Sequence, residues 1–574
     1  MADKTRKIEL LAPAGSMANL KAAVSRGADA VYLGMSQFGA RRYASNFSEK
    51  TLAEAIRICR SNNVKAYLTM NILVKNDEIA EFFRQLAFAY AQGIDAVIIQ
   101  ETSFLDIIRA NFPGLRIHVS TQAGVMNSAH ANLLKAADRI TLERSLTQQE
   151  IESIQKNYAK ELEIFVHGAL CVSISGGCLF SSLLGGRSGN RGTCAQPCRK
   201  KYDGCYYLST KELCLIDEIP EIIRSGVRAV KIEGRMKPPR YVAAVTDVYR
   251  RAIDSCYSGN FRVTPEMRKQ IAQSFNRGFT KGWFRSSEDF FQRENPSGTM
   301  PAATKEEYAV AVKNVKVDRK MIRPSLPPAG DRASSGKKLI VRVYSPEDGI
   351  AAAGSGADIV CLDIFHKDFM KLKKLITVPL YAVTPRMMVD DDRDTILSLI
   401  ERNEPDGIFA GNYGVLDFGL TVPVILDYCL NAFNDIDVRS AQAKKALPVI
   451  SPELSLRDIK GFRNKDFAVF VHGKIRLMTL RHAFGKKTIT DQIGAQFRLE
   501  PVLHGTELLN GKELGFLGKS AQLVKEGINQ FYVDTDNNVS VMVKVYRDIL
   551  DGKNVKVSRF KKHYIIAWGF RGVI

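Results

Sequence analysis

Short apolar segments recur along the first part of the chain, and the stretches between them carry apolar residues at helical spacing. The opening "IELLAPAGSMANLKAAVSRGADAVYLG" has an apolar strand, a Pro-Ala-Gly turn, an amphipathic helix and a second apolar strand. Apolar runs such as "VKAYLTMNIL" and "IDAVIIQ" follow at intervals of roughly 20 to 30 residues. Strands that alternate with helices are typical of a parallel sheet. The pattern predicts an α/β fold, and it favours a (β/α) TIM-like barrel over an open doubly wound sheet.

The pattern of the opening restarts in the second half of the chain. From about residue 338, "VRVYSPEDGIAAAGSGADIVCLDI" parallels "ELLAPAGSMANLKAAVSRGADAVYLGM". The motif "FVHG" occurs in both halves, which sets His167 opposite His472. A long repeat in the same order indicates a duplicated unit. The second half is therefore predicted to be a degenerate, barrel-like copy of the first.

The chain between the two copies is rich in Pro, Gly, Ser and Lys, a composition typical of a connector. We predict a first barrel over residues 1–284, a connector over 285–337 and the second repeat over 338–574. No apolar run approaches the roughly 20 residues that cross a bilayer. The N-terminus lacks the apolar stretch of a secretion signal. We therefore expect a cytoplasmic protein with no membrane association.

Four cysteines of the first copy share a stretch rich in Gly and Ser. They follow the spacing C-x6-C-x15-C-x3-C and are Cys171, Cys178, Cys194 and Cys198. Disulfides are disfavoured in the cytoplasm. Zinc sites usually pair their ligands as C-x2–4-C, which only the last two cysteines fit, whereas an irregular spacing among glycines suits an iron–sulfur cluster better. The spacing leaves open a cluster, a zinc site, and inert or catalytic thiols.

The second copy lacks these cysteines. Counting on from "FVHG", Arg476 and Ala483 stand where the first copy has its first two cysteines. The chemistry of the cysteines is therefore assigned to the first barrel, and the second is expected to be non-catalytic. Two further thiols, Cys205 and Cys214, follow the four-cysteine segment, and we predict that both are spare.

The balance of charge adds a candidate partner. Lys and Arg total 82 against 61 Asp and Glu, a formal net charge of +21. Such a balance attracts polyanions, so RNA, DNA and anionic membranes are all candidates. A highly charged, solvated surface without any such partner explains the same numbers equally well.

Several segments of the first half together resemble a known family. "VHGALC", "GGRSGNRGTCAQPC" and "VKIEGRMKPPRYVAAVTDVYRRAID", with "ELLAPAGS", "GADAVYLG", "ARRYASNFS" and "HVSTQ", are similar to the collagenase-like peptidase family U32. The resemblance covers about residues 8–285. It implies that the four cysteines hold a [4Fe–4S] cluster. Because some relatives take one ligand from outside the four, Cys214 is a conceivable substitute.

The resemblance also implies an activity. Its better-understood members resemble oxygen-inserting enzymes: tRNA hydroxylases that make 5-hydroxyuridine, a 23S rRNA cytidine hydroxylase, and a pair that acts in ubiquinone synthesis. It implies an RNA hydroxylase acting at C5 of a pyrimidine in rRNA or tRNA, with prephenate as a candidate co-substrate; protein partners are not indicated. The alternatives are a hydroxylase of a small aromatic or quinone precursor, an RNA-binding scaffold, and a peptidase. The chain has no G-x-S-x-G or H-E-x-x-H motif, which weighs against the peptidase.

Side chains at the ends of predicted strands complete the candidate site. We predict catalytic roles for His167, Glu233 and Arg235, because barrels of this type carry their chemistry at the carboxyl ends of strands. Alternation along "KIEGR" directs Lys231 to the same face as the last two. A histidine held structurally at the strand end is an equal alternative, since His472 repeats it. Glu233 and Arg235 could instead form a buried ion pair.

The remaining candidates would contact substrate. The planar guanidinium groups of Arg187 and Arg191 could hold a dicarboxylate or an RNA phosphate by paired hydrogen bonds. They could equally cap the cysteine segment and neutralise its charge. Gln122 in "HVSTQ" and Lys231 are further predicted substrate-binding residues. Glu143 is a similar strand-end candidate, but its recurrence as Glu453 weakens a catalytic role.

Overall fold

A computed structural model describes residues 7–556 except 276, 287–288, 293–307, 314–316, 318 and 329, together with residues 560 and 573. The chain divides into two compact units. The first comprises residues 1–176 and 189–326, and the second comprises residues 177–188 and 327–574. Within the described residues, no helix is both long enough and apolar enough to cross a bilayer.

Ten strands precede the connector among the residues that the structure describes. In chain order they are β1 (Glu9–Ala14), β2 (Ala30–Leu33), β3 (Lys65–Met70), β4 (Ala96–Ile99), β5 (Arg116–Val119), β6 (Arg139–Thr141), β7 (Glu161–Ala169), β8 (Glu212–Cys214), β9 (Ala229–Ile232) and β10 (Phe279–Thr280). Strands β1 to β7 pair in sequence and in parallel, and β9 pairs in parallel with both β1 and β7. The eight strands therefore close into the (β/α) barrel that the sequence predicted. Strand β8 lies antiparallel to β7 and extends the sheet towards β10.

Helices alternate with these strands, as expected for a (β/α) barrel. They are α1 (Met17–Ser25), α2 (Glu49–Ser61), α3 (Ile79–Ala91), α4 (Leu105–Asn111), α5 (Ser128–Leu133), α6 (Gln148–Asn157), α7 (Phe180–Gly185), α8 (Ile219–Arg224), α9 (Pro239–Tyr257) and α10 (Pro265–Ala272). Side-chain caps fix several starts. The hydroxyl of Ser48, for example, accepts the backbone N–H of Thr51 at the start of α2. Helix α7 belongs to the second unit.

The interior of the first barrel carries charge as well as apolar residues. The guanidinium of Arg139 is 1% exposed and lies 2.6 Å from the carboxylate of Glu9 and 3.4 Å from that of Glu163. Tyr67 donates its hydroxyl to Glu9 over 2.9 Å. Burial would raise the pKa of Glu9, but Arg139 and Lys65 outweigh it and hold that pKa at about 2. Glu9 and Arg139 therefore stay ionised and stabilise each other away from water.

The described residues of the second unit form thirteen strands. They are β11 (Lys338–Arg342), β12 (Ile359–Asp363), β13 (Leu380–Val383), β14 (Gly407–Ala410), β15 (Val424–Leu426), β16 (Ala446–Pro448), β17 (Val469–Gly473), β18 (Arg476–Leu480), β19 (Thr488–Thr490), β20 (Gln496–Val502), β21 (Gly505–Asn510), β22 (Leu514–Gly515) and β23 (Gln530–Asp534). Its helices are α11 (Pro346–Gly354), α12 (Phe369–Leu375), α13 (Asp392–Asn403), α14 (Asp435–Ala443), α15 (Leu456–Lys460), α16 (Leu517–Lys525) and α17 (Val539–Leu550).

Nine of these strands form a second curled sheet in the order β16-β15-β14-β13-β12-β11-β23-β17-β22. All neighbours are parallel except β22, which lies antiparallel to β17. A single parallel bridge, Val449 with Ala468, joins the residues that follow β16 to those that precede β17. Strands β18 to β21 form a separate antiparallel sheet in the order β18-β21-β20-β19. The degenerate, barrel-like repeat is thus confirmed, and the added antiparallel sheet is a feature that the sequence pattern did not indicate.

The "FVHG" motifs occupy matching places in the two units. His167 lies in β7 and His472 in β17, and each strand pairs with an antiparallel partner that follows a long insertion. Tyr249 and Tyr546 donate their hydroxyls over 2.8 Å to the carbonyl of the residue before each histidine. These shared hydrogen bonds support duplication independently of the sequence pattern.

The connector predicted at 285–337 divides between the units, and part of it, including 293–307, lies outside the described residues. Its later part follows the first unit as far as residue 326. There the backbone N–H of Ala311 donates to the side chain of Asn62 over 3.2 Å. Arg319 donates to the carbonyl of Ile94 over 2.7 Å. From residue 327 the chain belongs to the second unit, where Arg439 donates to the carbonyl of Pro328.

Candidate functional site

The carboxyl ends of the first barrel's strands gather a cluster of charged side chains. Glu233, directly after β9, accepts hydrogen bonds from Nε and Nη2 of Arg41 at 3.1 and 3.0 Å. Nη2 of Arg144, which follows β6, lies 3.9 Å from the same carboxylate. Burial would raise the pKa of Glu233, but Arg41 and Arg144 hold it below its ordinary value. The carboxylate is therefore ionised, and it aligns two guanidinium groups at the mouth of the barrel.

Arg235 adds a third guanidinium to this mouth. Its Nη1 donates to the hydroxyl of Thr69 over 2.8 Å, and its Nη2 donates to the side chain of Asn46. Its Nε has no hydrogen-bond partner among the described residues. Burial lowers the pKa of Arg235 to about 10, so it stays charged at neutral pH. Three positive charges thus share one carboxylate, that of Glu233, and the mouth favours an anionic ligand.

Three of the four predicted cysteine ligands lie in the first unit. Cys171 and Cys194 keep exposed surface and Cys198 is half-buried. Protein nevertheless surrounds the Cys171 and Cys198 side chains. This burial raises the pKa of both thiols, that of Cys198 to about 12. Arg144 opposes the shift at Cys171, and the nearby Cys194 thiol adds to it. The strand-end arginines and these thiols therefore belong to one electrostatic neighbourhood.

Cys178 lies in the second unit, within residues 177–188. That segment is held by residues of the same unit. The backbone N–H of Leu179 donates to the carbonyl of Leu477 over 2.8 Å, and the ring of Phe180 lies 5.1 Å from that of Phe497. Cys178 is half-buried there.

The family resemblance implies that the four cysteines hold an iron–sulfur cluster. The chemistry of these donors fits, since three sulfur donors share one neighbourhood and the backbone N–H of Gln196 donates to Sγ of Cys194 over 3.3 Å. Such N–H groups tune the sulfurs of Fe–S centres. Within the described parts of the chain, however, no group of three or more His, Cys, Asp or Glu side chains is arranged to hold a metal ion. The thiols are thus near one another without forming a ready-made metal site.

The chain around the cysteines is fixed by close contacts with the strand-end loops. The carboxylate of Glu143 accepts the backbone N–H of Ser175 over 3.0 Å. Gly176 has φ +81°, and a Cβ there would lie 2.0 Å from the carbonyl oxygen of Gln122. Only glycine permits that approach. Glu143 therefore anchors the cysteine segment, while the side-chain amide of Gln122 has no hydrogen-bond partner among the described residues.

His167 lies in the core, with 1% of its surface exposed. Its ring is within 5.5 to 6.1 Å of the rings of Tyr249, Phe279 and Tyr241. Its Nδ1 lies 3.4 Å from the hydroxyl of Tyr249. Burial lowers the pKa of His167 to about 3, so the ring is neutral. These surroundings favour the structural alternative, and its catalytic role stays a prediction.

The two arginines of the cysteine segment differ. Arg191 is 6% exposed, and its guanidinium contacts the carboxylate of Glu78 at 2.6 and 2.8 Å and the carbonyl of Leu73 at 2.7 Å. Its paired hydrogen bonds are therefore already used within the protein. Arg187 is exposed and lies in the second unit. The substrate-binding roles of both stay predictions.

Lys231 lies within the barrel and not at its mouth. Its ammonium group is 2.9 Å from the carboxylate of Glu163 and lies over the rings of Tyr32 and Phe165, at 4.8 and 5.3 Å. It is 5% exposed. Only Glu233 and Arg235 of "KIEGR" reach the strand-end cluster, because β9 ends at Ile232 and the chain leaves the strand geometry there.

Sequence reasoning did not single out Arg41 and Arg144. Arg41 occupies a loop that follows β2, far from Glu233 in sequence. Arg144 stands beside Glu143, the residue that drew attention as a strand-end carboxylate. Its guanidinium lies 4.0 Å over the ring of Phe165 and donates to the carbonyl of Ala169 over 3.1 Å. A search for arginines just after predicted strands would have found Arg144.

The fold and site define a (β/α) barrel protein with a charged strand-end mouth beside clustered thiols. Residues 15–292 match peptidase family U32. An uncharacterized protease of Methanocaldococcus jannaschii is 40% identical over 299 residues, which cover 48% of this chain and 73% of that protein. A tRNA hydroxylation protein of Bacillus subtilis is 32% identical over 342 residues, which cover 55% of this chain and 80% of that protein. The chain therefore belongs to peptidase family U32, as its motifs indicated.

A further relative is a 23S rRNA 5-hydroxycytidine synthase of Escherichia coli. It is 33% identical over 304 residues, which cover 51% of this chain and 46% of that protein. Residues 327–574 lie outside the part of the chain that matches the family.

Proposed function

We propose that the first barrel hydroxylates C5 of a pyrimidine in rRNA or tRNA, with a [4Fe–4S] cluster as cofactor and prephenate as co-substrate. The observation that carries the proposal is the strand-end cluster of Arg41, Arg144, Glu233 and Arg235 beside the thiol of Cys171. The names of two relatives, a tRNA hydroxylation protein and an rRNA 5-hydroxycytidine synthase, support RNA as the substrate. So does the formal net charge of +21.

The charged residues of the strand-end cluster would have different roles in binding the substrate. Arg41 and Arg144 keep donors at the mouth, where the carboxylates of a prephenate-like acid or an RNA phosphate could accept them in pairs. Glu233 positions these two groups, since its pKa is held low and it stays a carboxylate. Arg235 joins the loop after β2 to strand β3 through Asn46 and Thr69, and it adds positive charge without direct pairing to Glu233.

Cys171, Cys194 and Cys198 would supply three ligands of the cluster, and Cys178 is the fourth ligand that the sequence spacing predicts. A [4Fe–4S] cluster supplies one-electron transfer when it is bound. The positive charge of Arg144 beside Cys171 would offset the negative charge of ionised cysteine ligands.

The test is to delete the gene and compare the nucleosides of tRNA and rRNA by mass spectrometry. We expect a hydroxylated uridine or cytidine to disappear, and the wild-type gene to restore it. Cys171→Ser and Arg144→Gln should not restore it. Arg26→Gln, a substitution at the end of α1 outside the cluster, is the control that should.

An unchanged nucleoside profile would contradict RNA hydroxylation and direct the search to small aromatic substrates. Because relatives include an uncharacterized protease, the purified protein should also be incubated with gelatin. Cleavage that survives Cys171→Ser, together with an unchanged nucleoside profile, would favour the peptidase alternative.

A further inference from the structure

The second unit contains a cavity of about 350 Å³ at the carboxyl ends of its strands. Its floor is formed by residues that end or follow β11, β12 and β13, and its other wall by strands of the separate antiparallel sheet. The size lies at the lower end of the range typical of small-molecule sites. The second unit thus has a cavity of its own at the strand ends, where barrels bind their ligands.

Two other arginines have carboxylate partners: Arg386, which lines the cavity, and Arg476, which pairs with the lining residue Glu507. Nη2 of Arg386 lies 2.7 Å from the carboxylate of Asp427. Nε of Arg476 donates to Glu507 over 2.5 Å, and its Nη1 forms an ion pair with Asp534. These ion pairs offset both positive charges, although Nη2 of Arg386 has no hydrogen-bond partner among the described residues.

Arg342 differs from both. It lines the cavity at the end of β11, and its Cζ lies 5.6 Å from the centre of the Tyr344 ring. No described residue forms a hydrogen bond or ion pair with its guanidinium. Protein surrounds the group, yet it keeps accessible surface. Burial and Arg476 act against its charge, but Tyr344, Asp534 and Tyr532 outweigh them and hold the pKa of Arg342 above its ordinary value. The guanidinium therefore stays charged, and because its N–H donors have no acceptor among the described residues, it favours an anionic ligand in the cavity.

The rest of the lining restricts the kind of anion. Phe365 and Val502 are large apolar side chains that are 41% and 36% exposed, and both line the cavity. Two carboxylates, those of Asp363 and Glu507, also line it. Apolar surface favours a ligand with an apolar body, and the carboxylates repel a multiply charged phosphate. A singly charged acid fits both conditions.

We infer that this cavity binds a small organic monocarboxylate with an apolar or aromatic body, whose carboxylate pairs with Arg342. The planar guanidinium can meet both carboxylate oxygens in parallel hydrogen bonds. Phe365 and Val502 cover the apolar part of the ligand. The inference concerns a second binding site, and its test measures binding without any hydroxylation product.

The probe is hydrocinnamate, with hydrocinnamyl alcohol as the matched compound that lacks the carboxylate. Binding of each to the full chain is measured by isothermal titration at neutral pH. We expect hydrocinnamate to bind at least about tenfold more tightly than the alcohol. Arg342→Gln should weaken hydrocinnamate binding by about tenfold or more, and Arg342→Lys by less. Arg393→Gln changes an arginine of the same unit that is 48% exposed, and it should bind as the wild type does.

A second variant keeps the test independent of Arg342. Val502→Trp should fill the rim of the cavity and abolish binding of both compounds while the fold is retained, because Val502 is exposed at the end of β20. Equal binding of the acid and the alcohol would overturn the inference. So would undetectable hydrocinnamate binding at millimolar concentration, undiminished binding in Arg342→Gln, or binding of inorganic phosphate in preference to hydrocinnamate.

Discussion

The two units differ most at the point where they are otherwise most alike. In each unit the chain leaves the sheet after "FVHG" and returns as a short antiparallel strand, β8 in the first unit and β22 in the second. The first inserts a glycine-rich stretch with cysteines, and the second inserts a four-stranded antiparallel sheet. Cys171 and Arg476 take equivalent places in these insertions. The two units thus share the parallel strands and their helices. The insertion after "FVHG" determines which functional side chains lie at the strand ends.

The largest difference between the units is expected from substitutions at the equivalent positions, Cys171 and Arg476. Cys171→Ser should abolish formation of the hydroxylated nucleoside and lower the bound iron of the purified protein, because it removes a proposed ligand. It should leave the urea unfolding transition of the cluster-free protein unchanged, since the thiol keeps accessible surface and serine replaces only its sulfur atom. The checks are nucleoside mass spectrometry, iron analysis and urea titration. Full activity with normal iron content would exclude Cys171 as a ligand.

Arg476→Gln should act in the opposite way, on stability and not on the nucleoside. The guanidinium is 1% exposed and pairs with Glu507 and Asp534. Its loss removes the nearest cation of two buried carboxylates, which costs about 3–5 kcal/mol. Hydrogen exchange in β11 and β23 measures the change, and Arg393→Gln is the exposed control. A loss below about 1 kcal/mol would mean that the network relaxes without cost.

Acid should affect the two units differently, because Glu9 of the first corresponds to Lys338 of the second. The pKa of Glu9 lies at about 2, below its ordinary 4.5. Its contribution to stability is therefore complete above about pH 4.5 and is lost as the pH falls towards 2. The contribution is of order 3 kcal/mol. Unfolding titrations at several pH values should show a shallower acid dependence in Glu9→Gln than in the wild type.

Glu81 provides the matched control for this acid effect. Its pKa is also lowered to about 2, by hydrogen bonds from Arg84 and Gln85. Glu81 is 39% exposed, however, so solvent screens its interactions and Glu81→Gln should alter the acid dependence far less. If the two substitutions altered the acid dependence equally, the buried ion pairs of Glu9 would contribute no more to stability than an exposed pair does.

The smallest expected effects come from the glycines of the two "FVHG" motifs. A Cβ on Gly168 would lie 2.5 Å from the carbonyl oxygen of Glu233, and one on Gly473 would lie 1.7 Å from that of Asp534. Both have positive φ. Each change to Ala should cost about 1–3 kcal/mol. Only Gly168→Ala should also lower formation of the hydroxylated nucleoside, because it displaces Glu233. The control is Gly354→Ala, since a Cβ on Gly354 would have no neighbouring atom within 4 Å.

The sequence predicted the closed barrel and the repeat because both depend on local periodicity. It also found Glu233 and Arg235, which follow a recognisable strand. It did not find their partner Arg41, because only the closure of the barrel brings the loop after β2 to the end of β9. The division of the cysteines was equally invisible. The place of Cys178 depends on contacts with residues near 477 and 497, and no pattern within "GGCLFSSLLGG" encodes them.

That division has a consequence for the order of events during synthesis. The segment 177–188 takes its place through β18 and β20, which lie roughly 300 residues further along the chain. At about 5–20 residues per second, the ribosome needs tens of seconds to supply them. Cys171, Cys194 and Cys198 belong to a unit that can close before then, whereas Cys178 waits for the second half. The segment that carries Cys178 is therefore placed at the end of translation, after the strands of the first barrel have been made.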